Sequence, residues 1–123
     1  MNLLLDTHVL LWWLSDDERL TRPMRQAIGD SNTAVVVSAA SAWEMAIKAA
    51  LGKLVAPEGL VAELERQGFD QISVTVDDAV HAGALPRHHN DPFDRMLIAQ
   101  ALRRGLTLVT ADRHIAAYDV RLL

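Results

Sequence analysis

The chain has 123 residues, half of them hydrophobic and 23% charged, with no cysteine and a net charge of −4. This length suits one globular domain, able to bury roughly two-thirds of the surface its unfolded chain exposes. The lack of cysteine excludes a disulfide scaffold and any thiolate metal site, and suits a reducing cytosol, so a cytoplasmic location is expected. The acidic balance argues against nucleic-acid binding by bulk electrostatics. It does allow an acidic pocket whose local sign a divalent cation reverses. The opening MNLLLDTHVLLWWL is apolar but carries Asp6 and His8. With no basic stretch before it and no small-residue cleavage site, it does not read as a secretion signal, and no apolar stretch is long enough to span a membrane.

In chain order, Leu3 to Leu5 read as a short buried strand leading through Asp6 into a helix over Thr7 to Leu14. Thr21 as cap and Pro23 in the first turn predict a second helix, from Arg22 to about Ile28. Thr33 to Ser38 contains three consecutive valines, apolar on both faces, as in a central strand of a parallel sheet. A helix from Ala39 to Leu51 follows, ended by Gly52. Pro57 is expected to start another, closed by Gly68. Gln71 to Val76 alternates as a third strand, and Asp77 is expected to cap a short helix running to Leu85. Pro86 to Asn90 is a polar, basic loop. Asp91 and Pro92 then open a helix that reaches Arg104 and stops at Gly105. Thr107 to Thr110 is the fourth strand, and Val120 to Leu123 is a candidate fifth.

Strands and helices alternate throughout, with no repeat and no linker. The expected fold is therefore a three-layer α/β/α sandwich around a parallel sheet of four to five strands, with residues 1–123 as a single domain. Right-handed crossovers place every strand's C-terminal end on one edge, where sites form in such sheets.

Four acids fall near that edge. Asp6 ends the first strand, Asp112 lies just beyond the fourth, Glu44 sits about a turn and a half into the helix after the second, and Asp94 is in the first turn of the helix before the fourth. Each has a plain structural reading. Asp6 can cap the helix at Thr7. Ser41 and Glu44 have capping-box spacing, and Glu44 stands four residues before Lys48. Asp94 can offset the helix dipole, and Asp112 can be an ordinary loop residue. Together, however, four carboxylates at one edge repel one another, and a cation or protonation relieves that cost. Oxygen donors without thiolates suit a hard cation such as Mg²⁺, and the chemistry this implies is phosphodiester hydrolysis.

Four stretches, in order and covering nearly the whole chain, carry a resemblance: LLLDTHVLLWWL, VVVSAASAWEMAIKAALGKL, DPFDRMLIAQAL and LTLVTADRHI. In these the sequence resembles the PIN domain and, within it, the VapC-type toxins of bacterial toxin–antitoxin pairs. The resemblance implies a PIN-like fold and an Mg²⁺- or Mn²⁺-dependent endoribonuclease, the toxin of such a pair. Its catalytic set would be Asp6, Glu44, Asp94 and Asp112, with the metal on Asp6, Asp94 and Asp112. It implies supporting roles for Thr7 and Thr110, a homodimer, and an antitoxin that blocks the cleft. Ala111 stands where relatives often carry a polar residue. Asp91 competes with Asp94 for the ligand role, and Asp94 aligns better because the run Leu97 to Ala101 follows it without a gap.

Arg87, His88, His89, Arg95 and Arg113 lie in segments expected at the same edge and are candidate RNA contacts. Arg95 can equally pair with Asp91, and each of the others can be solvated surface. His88 and His89 raise a zinc alternative that lacks a metal-binding spacing. Trp43 reads as core, and part of the apolar first helix reads as a surface for a partner chain. Rival functions fit less well. A receiver-type phosphoacceptor needs a lysine near the last strand, and none follows Lys53. A dehalogenase-like phosphatase needs Asp-x-Asp where the sequence is Asp6-Thr7-His8, and a nucleotide-binding module needs a glycine-rich first turn. A catalytically inactive PIN-like binding module is the remaining alternative; its mark would be a missing acid.

Overall fold

The computed structural model describes all residues, 1–123. Four parallel strands form one sheet: β1 (Leu3–Leu5), β2 (Val35–Ser38), β3 (Asp70–Ile72) and β4 (Thr107–Val109), in the order β3-β2-β1-β4. Register places Leu3 beside both Val35 and Thr107, so β1 is central. Six helices connect the strands: α1 (Thr7–Ser15), α2 (Arg22–Gly29), α3 (Ala39–Ala50), α4 (Leu60–Gln67), α5 (Val76–Ala84) and α6 (Pro92–Arg104). A short 3-10 turn, Arg113–Ala117, follows β4.

The pleat divides the core in two. Leu3, Leu5, Val35, Val37 and Val109 point to one face, where they pack with Val9 and Leu10 of α1, Met24 and Ile28 of α2, Met45 of α3 and Leu64 of α4. Leu4, Val36 and Leu108 point to the other, against Leu97, Ile98 and Ala101 of α6 and Ile115 and Tyr118. Because successive side chains alternate across a strand, β1, apolar at all three positions, and β2, apolar from Val35 to Val37, require cover on both sides. That requirement makes the three-layer sandwich.

Several expected boundaries move, each for a local reason. Helix α4 begins at Leu60 rather than Pro57, because Gly59 takes a left-handed conformation (φ 61°) that interrupts a right-handed helix. Strand β3 ends at Ile72, not Val76, because Thr75 caps α5 in place of Asp77. The Thr75 hydroxyl accepts from the Asp78 N–H (3.1 Å), and the Asp78 carboxylate accepts from the Thr75 N–H (3.0 Å). This reciprocal box wins over the valine alternation at Val74 and Val76. The candidate fifth strand reduces to a single bridge. The Leu108 N–H donates to the Arg121 carbonyl (2.8 Å) and the Leu123 N–H to the Leu108 carbonyl (3.0 Å), which sets Leu122 beside Leu108.

The expected core position of Trp43 is also corrected: its surface is 65% exposed. It meets Phe93 edge-on, with ring centroids 5.5 Å apart. The buried side of α3 is instead Ala40, Ser41, Glu44 and Met45. No helix is long and apolar enough to cross a membrane.

Candidate metal centre

Strand order determines where the site lies. The chain runs from β1 outward to β2 and β3, then returns to the other side of β1 for β4. The C-terminal ends of β1 and β4 therefore flank the point where the connections diverge, the usual position of a site in an open parallel sheet. Asp6 leaves β1 there, and its N–H donates to the Val109 carbonyl of β4 (3.1 Å). Asp112 leaves β4 two residues after Thr110. Helices α3 and α6 begin at the same edge and carry Glu44 and Asp94 inward.

Asp6 is buried and has two roles at once. Its carboxylate caps α1 by accepting from the Val9 N–H (2.7 Å). Burial pushes its pKa up, opposed by hydrogen bonds from Thr110 and the Val9 backbone. Thr110 stands between two of the acids: its hydroxyl accepts from the Asp112 N–H (3.0 Å) and lowers the pKa of Asp6.

The expected Ser41–Glu44 capping box is not formed. Ser38 caps α3 by accepting from the Ala40 N–H (3.1 Å), while the buried Ser41 hydroxyl has no partner. Glu44 is buried and turns toward α1, where its carboxylate accepts from the Thr7 hydroxyl (2.5 Å). Its other oxygen accepts from Lys48 Nζ (2.6 Å), the pair that i, i+4 spacing predicts.

Asp91 and Asp94 divide the work that the sequence left open between them. Asp91 caps α6, accepting from the N–H groups of Phe93 (2.8 Å) and Asp94 (3.1 Å). The Asp94 side chain is left free to face the other acids. Burial first, then the charges of Asp91, Asp6 and Glu44, push its pKa up to about 7, against the opposing pull of His89. Asp112 goes the other way: burial would raise it, but the His114 N–H and the His89 and His114 rings hold its pKa down.

His89 holds a place that spacing alone does not reveal. Its Nε2 lies 3.0 Å from Asp94 Oδ2 and 3.0 Å from Asp112 Oδ2. Donor atoms of His89, Asp94 and Asp112 all fall within 4.8 Å of one another, a grouping able to hold a metal ion. Asp6 and Glu44 border this trio closely enough for their charges to act on Asp94. The donor set fits a divalent cation: carboxylate oxygens of Asp94 from α6 and Asp112 from beyond β4 converge, and the nearby lysine is committed to Glu44.

The candidate RNA contacts separate. Arg87, His88 and Arg113 are exposed around this edge. Arg95 makes no ion pair with Asp91. Its guanidinium donates to the carbonyls of Ala82 (2.8 Å), Leu85 (3.0 Å) and Pro86 (2.9 Å) and to the Tyr118 hydroxyl (3.3 Å). Arg95 thus satisfies the orphan carbonyls at the C-terminus of α5 and anchors the loop that carries His89.

Comparison with known proteins agrees with this architecture. Ribonuclease VapC22 of Mycobacterium tuberculosis (strain ATCC 25618 / H37Rv) is 31% identical over 118 residues, covering 94% of this chain and 90% of that protein. Two solved assemblies share the fold. VapBC2 from Rickettsia felis, bound to a DNA fragment from its promoter, superposes with a TM-score of 0.73 at 16% identity, covering 100% of this chain and 98% of that one. DNA-bound VapBC from Salmonella typhimurium gives 0.72 at 20% identity, covering 100% and 97%. The PIN domain profile matches residues 3–121, and the chain therefore belongs to the PIN domain family.

Proposed function

We propose that residues 1–123 act as a single PIN-like domain that cuts RNA internally, as the toxin of a toxin–antitoxin pair, with Mg²⁺ or Mn²⁺ as cofactor. The observation that carries this reading is the grouping of Asp94 and Asp112 with His89 at the β1–β4 divergence, with Asp6 and Glu44 near enough for their charges to act on Asp94. The likeness to a protein named as a ribonuclease supports the substrate class, and the toxin–antitoxin assemblies among the structural neighbours support an antitoxin partner. We also propose a cytoplasmic location and a homodimer, with the half-buried Trp12 and Trp13 of α1 near the shared surface.

Asp6, Asp94 and Asp112 would hold the ion, which when bound supplies a nucleophile at neutral pH and stabilises charge on the phosphodiester. The other steps belong to the chain's own residues. Glu44, oriented by Thr7 and Lys48, positions the attacking water and takes up its proton. Thr110 holds the Asp112 backbone in place through its hydroxyl. Arg87, His88 and Arg113 contact the phosphates of the RNA. Arg95, with its donors committed to carbonyls, serves the scaffold instead.

The test is cleavage of a mixed RNA with Mg²⁺, with Mn²⁺ and with chelator. Chelator should abolish cleavage. Asp6→Asn and Asp94→Asn should each lower the rate by at least about a hundredfold, the scale expected when a group that stabilises developing charge is lost, with unchanged circular dichroism. Cleavage that survives chelation, or near-normal activity in either variant, removes the proposal. Expression without an antitoxin should slow growth.

A further inference from the structure

The reading of Asp94 and Asp112 as ion ligands leaves His89 unexplained, and the inference here rests on that reading. His89 reaches the two carboxylates from the loop before α6. Its Nε2 sits 3.0 Å from one oxygen of each, between the two groups. Nε2 thus lies among the atoms that would surround a shared cation. An imidazole there is either a further ligand or a competitor, and the far side of the ring distinguishes them. A histidine that ligates through Nε2 ordinarily carries its proton on Nδ1 and donates it to a carbonyl or carboxylate. Here Nδ1 instead accepts from the Asp91 backbone N–H (3.2 Å). That contact leaves Nδ1 bare and assigns the ring proton to Nε2. Nε2–H is thus a donor, hydrogen-bonded to Asp112 with Asp94 3.0 Å away, and has no lone pair to offer a metal.

The neighbourhood holds the ring in this pose. The His89 N–H donates to the Tyr118 hydroxyl (2.9 Å). Arg95 holds the Pro86 carbonyl at the start of the same loop (2.9 Å). Asp91, whose N–H determines the tautomer, is itself fixed as the cap of α6. His89 is therefore tied through its backbone, its Nδ1 and its Nε2.

We propose that His89 is a built-in competitor for the metal site: its Nε2–H, hydrogen-bonded to Asp112 and 3.0 Å from Asp94, sits among the donor atoms and must be displaced for a divalent ion to bind. The arrangement offsets the repulsion between the acids and weakens ion binding by the hydrogen bonds that entry breaks. A hydrogen bond to a charged group is typically worth about tenfold or more in an equilibrium.

The experiment is a titration of the purified full chain with Mn²⁺ alone, following free Mn²⁺ by electron paramagnetic resonance, for wild type and His89→Ala. The expected result is about tenfold tighter binding in the variant. Equal or weaker binding overturns the proposal. A second measurement uses the wild-type chain and does not depend on the variant folding. Long-range ¹H–¹⁵N spectra should show His89 protonated at Nε2 before Mg²⁺ is added and released to exchanging tautomers afterwards. Conversion to a fixed Nδ1–H form on adding Mg²⁺ would mark the ring as a ligand and overturn the proposal. RNA cleavage does not enter either readout. Competition by His89 without any nuclease activity would leave this inference standing and remove the proposed reaction, whereas failure of Mn²⁺ to bind either protein would remove both.

Discussion

At the scale of single residues, the site depends on which donor each buried carboxylate receives. Glu44 is the clearest case, because its two oxygens are taken by Thr7 and Lys48 from different directions. Thr7→Val keeps the shape of the side chain and removes the hydroxyl, leaving a buried carboxylate oxygen short of a donor. The expected cost is about 1–3 kcal/mol, read as a lower urea midpoint with unchanged slope. The loss should be partly recovered in Thr7→Ser. The sequence shows the four acids and their order, because strand ends and helix starts are marked by capping chemistry and short apolar runs. It does not show which donor meets which acid. Thr7 and Glu44 lie 37 positions apart, and their meeting depends on how α1 and α3 pack. His89 is hidden for the same reason: its partners are Asp94 in a helix and Asp112 beyond a strand, and no periodic spacing relates the three.

At the scale of elements, helix starts marked by both a capping side chain and a proline are legible, whereas the starts of α4 and α5 and the strand ends are not. Thr21 and Asp91 cap α2 and α6 where Pro at the next positions suggested. The strands were overestimated, because a β-branched alternation such as Gln71 to Val76 carries no mark of where pairing stops. The exposed position of Trp43 is not legible, because a helix with alanines on several sides gives little indication of its buried stripe. The division between Asp91 and Asp94 gives a prediction at this scale. Asp91→Ala removes two backbone acceptances at the start of α6 and should cost about 1 kcal/mol of stability, as lost caps typically do. Measured by thermal unfolding, the effect of Asp91→Ala should exceed that of Asp94→Asn, whereas Asp94→Asn should cause the greater loss of RNA cleavage. Reversal of both rankings would exchange the two roles.

At the scale of the whole molecule, the two ends of α6 differ in character. Its start faces the acids, while its end is tied to α5 by Asp78, a fully buried carboxylate. Asp78 accepts from Arg103 (2.5 Å), Arg104 (2.9 Å) and Gln100 (3.0 Å). Burial alone would raise its pKa, but these bonds and that from Thr75 hold it well below the usual carboxylate range. A folded-state pKa below the unfolded one contributes stability that is present above about pH 4 and is lost as pH falls through that region. Acid titration of wild type should therefore show a loss of stability below about pH 4 that is smaller in Asp78→Asn. Asp78→Ala strands two arginines and should cost about 3–5 kcal/mol at neutral pH.

The bridge between Leu122 and Leu108 has a further consequence. The outer margin of β4 would otherwise present free peptide groups to any passing strand, the usual start of sheet-to-sheet association. Arg121 and Leu123 occupy the Leu108 amide and carbonyl, whereas the opposite margin, β3, is only three residues long and bears Asp70 and Gln71 on its surface. Removal of residues 121–123 should leave the fold recognisable by circular dichroism yet make the protein self-associate with rising concentration, measurable by light scattering. A truncated chain that stays dispersed would show that this short tail is dispensable as a guard.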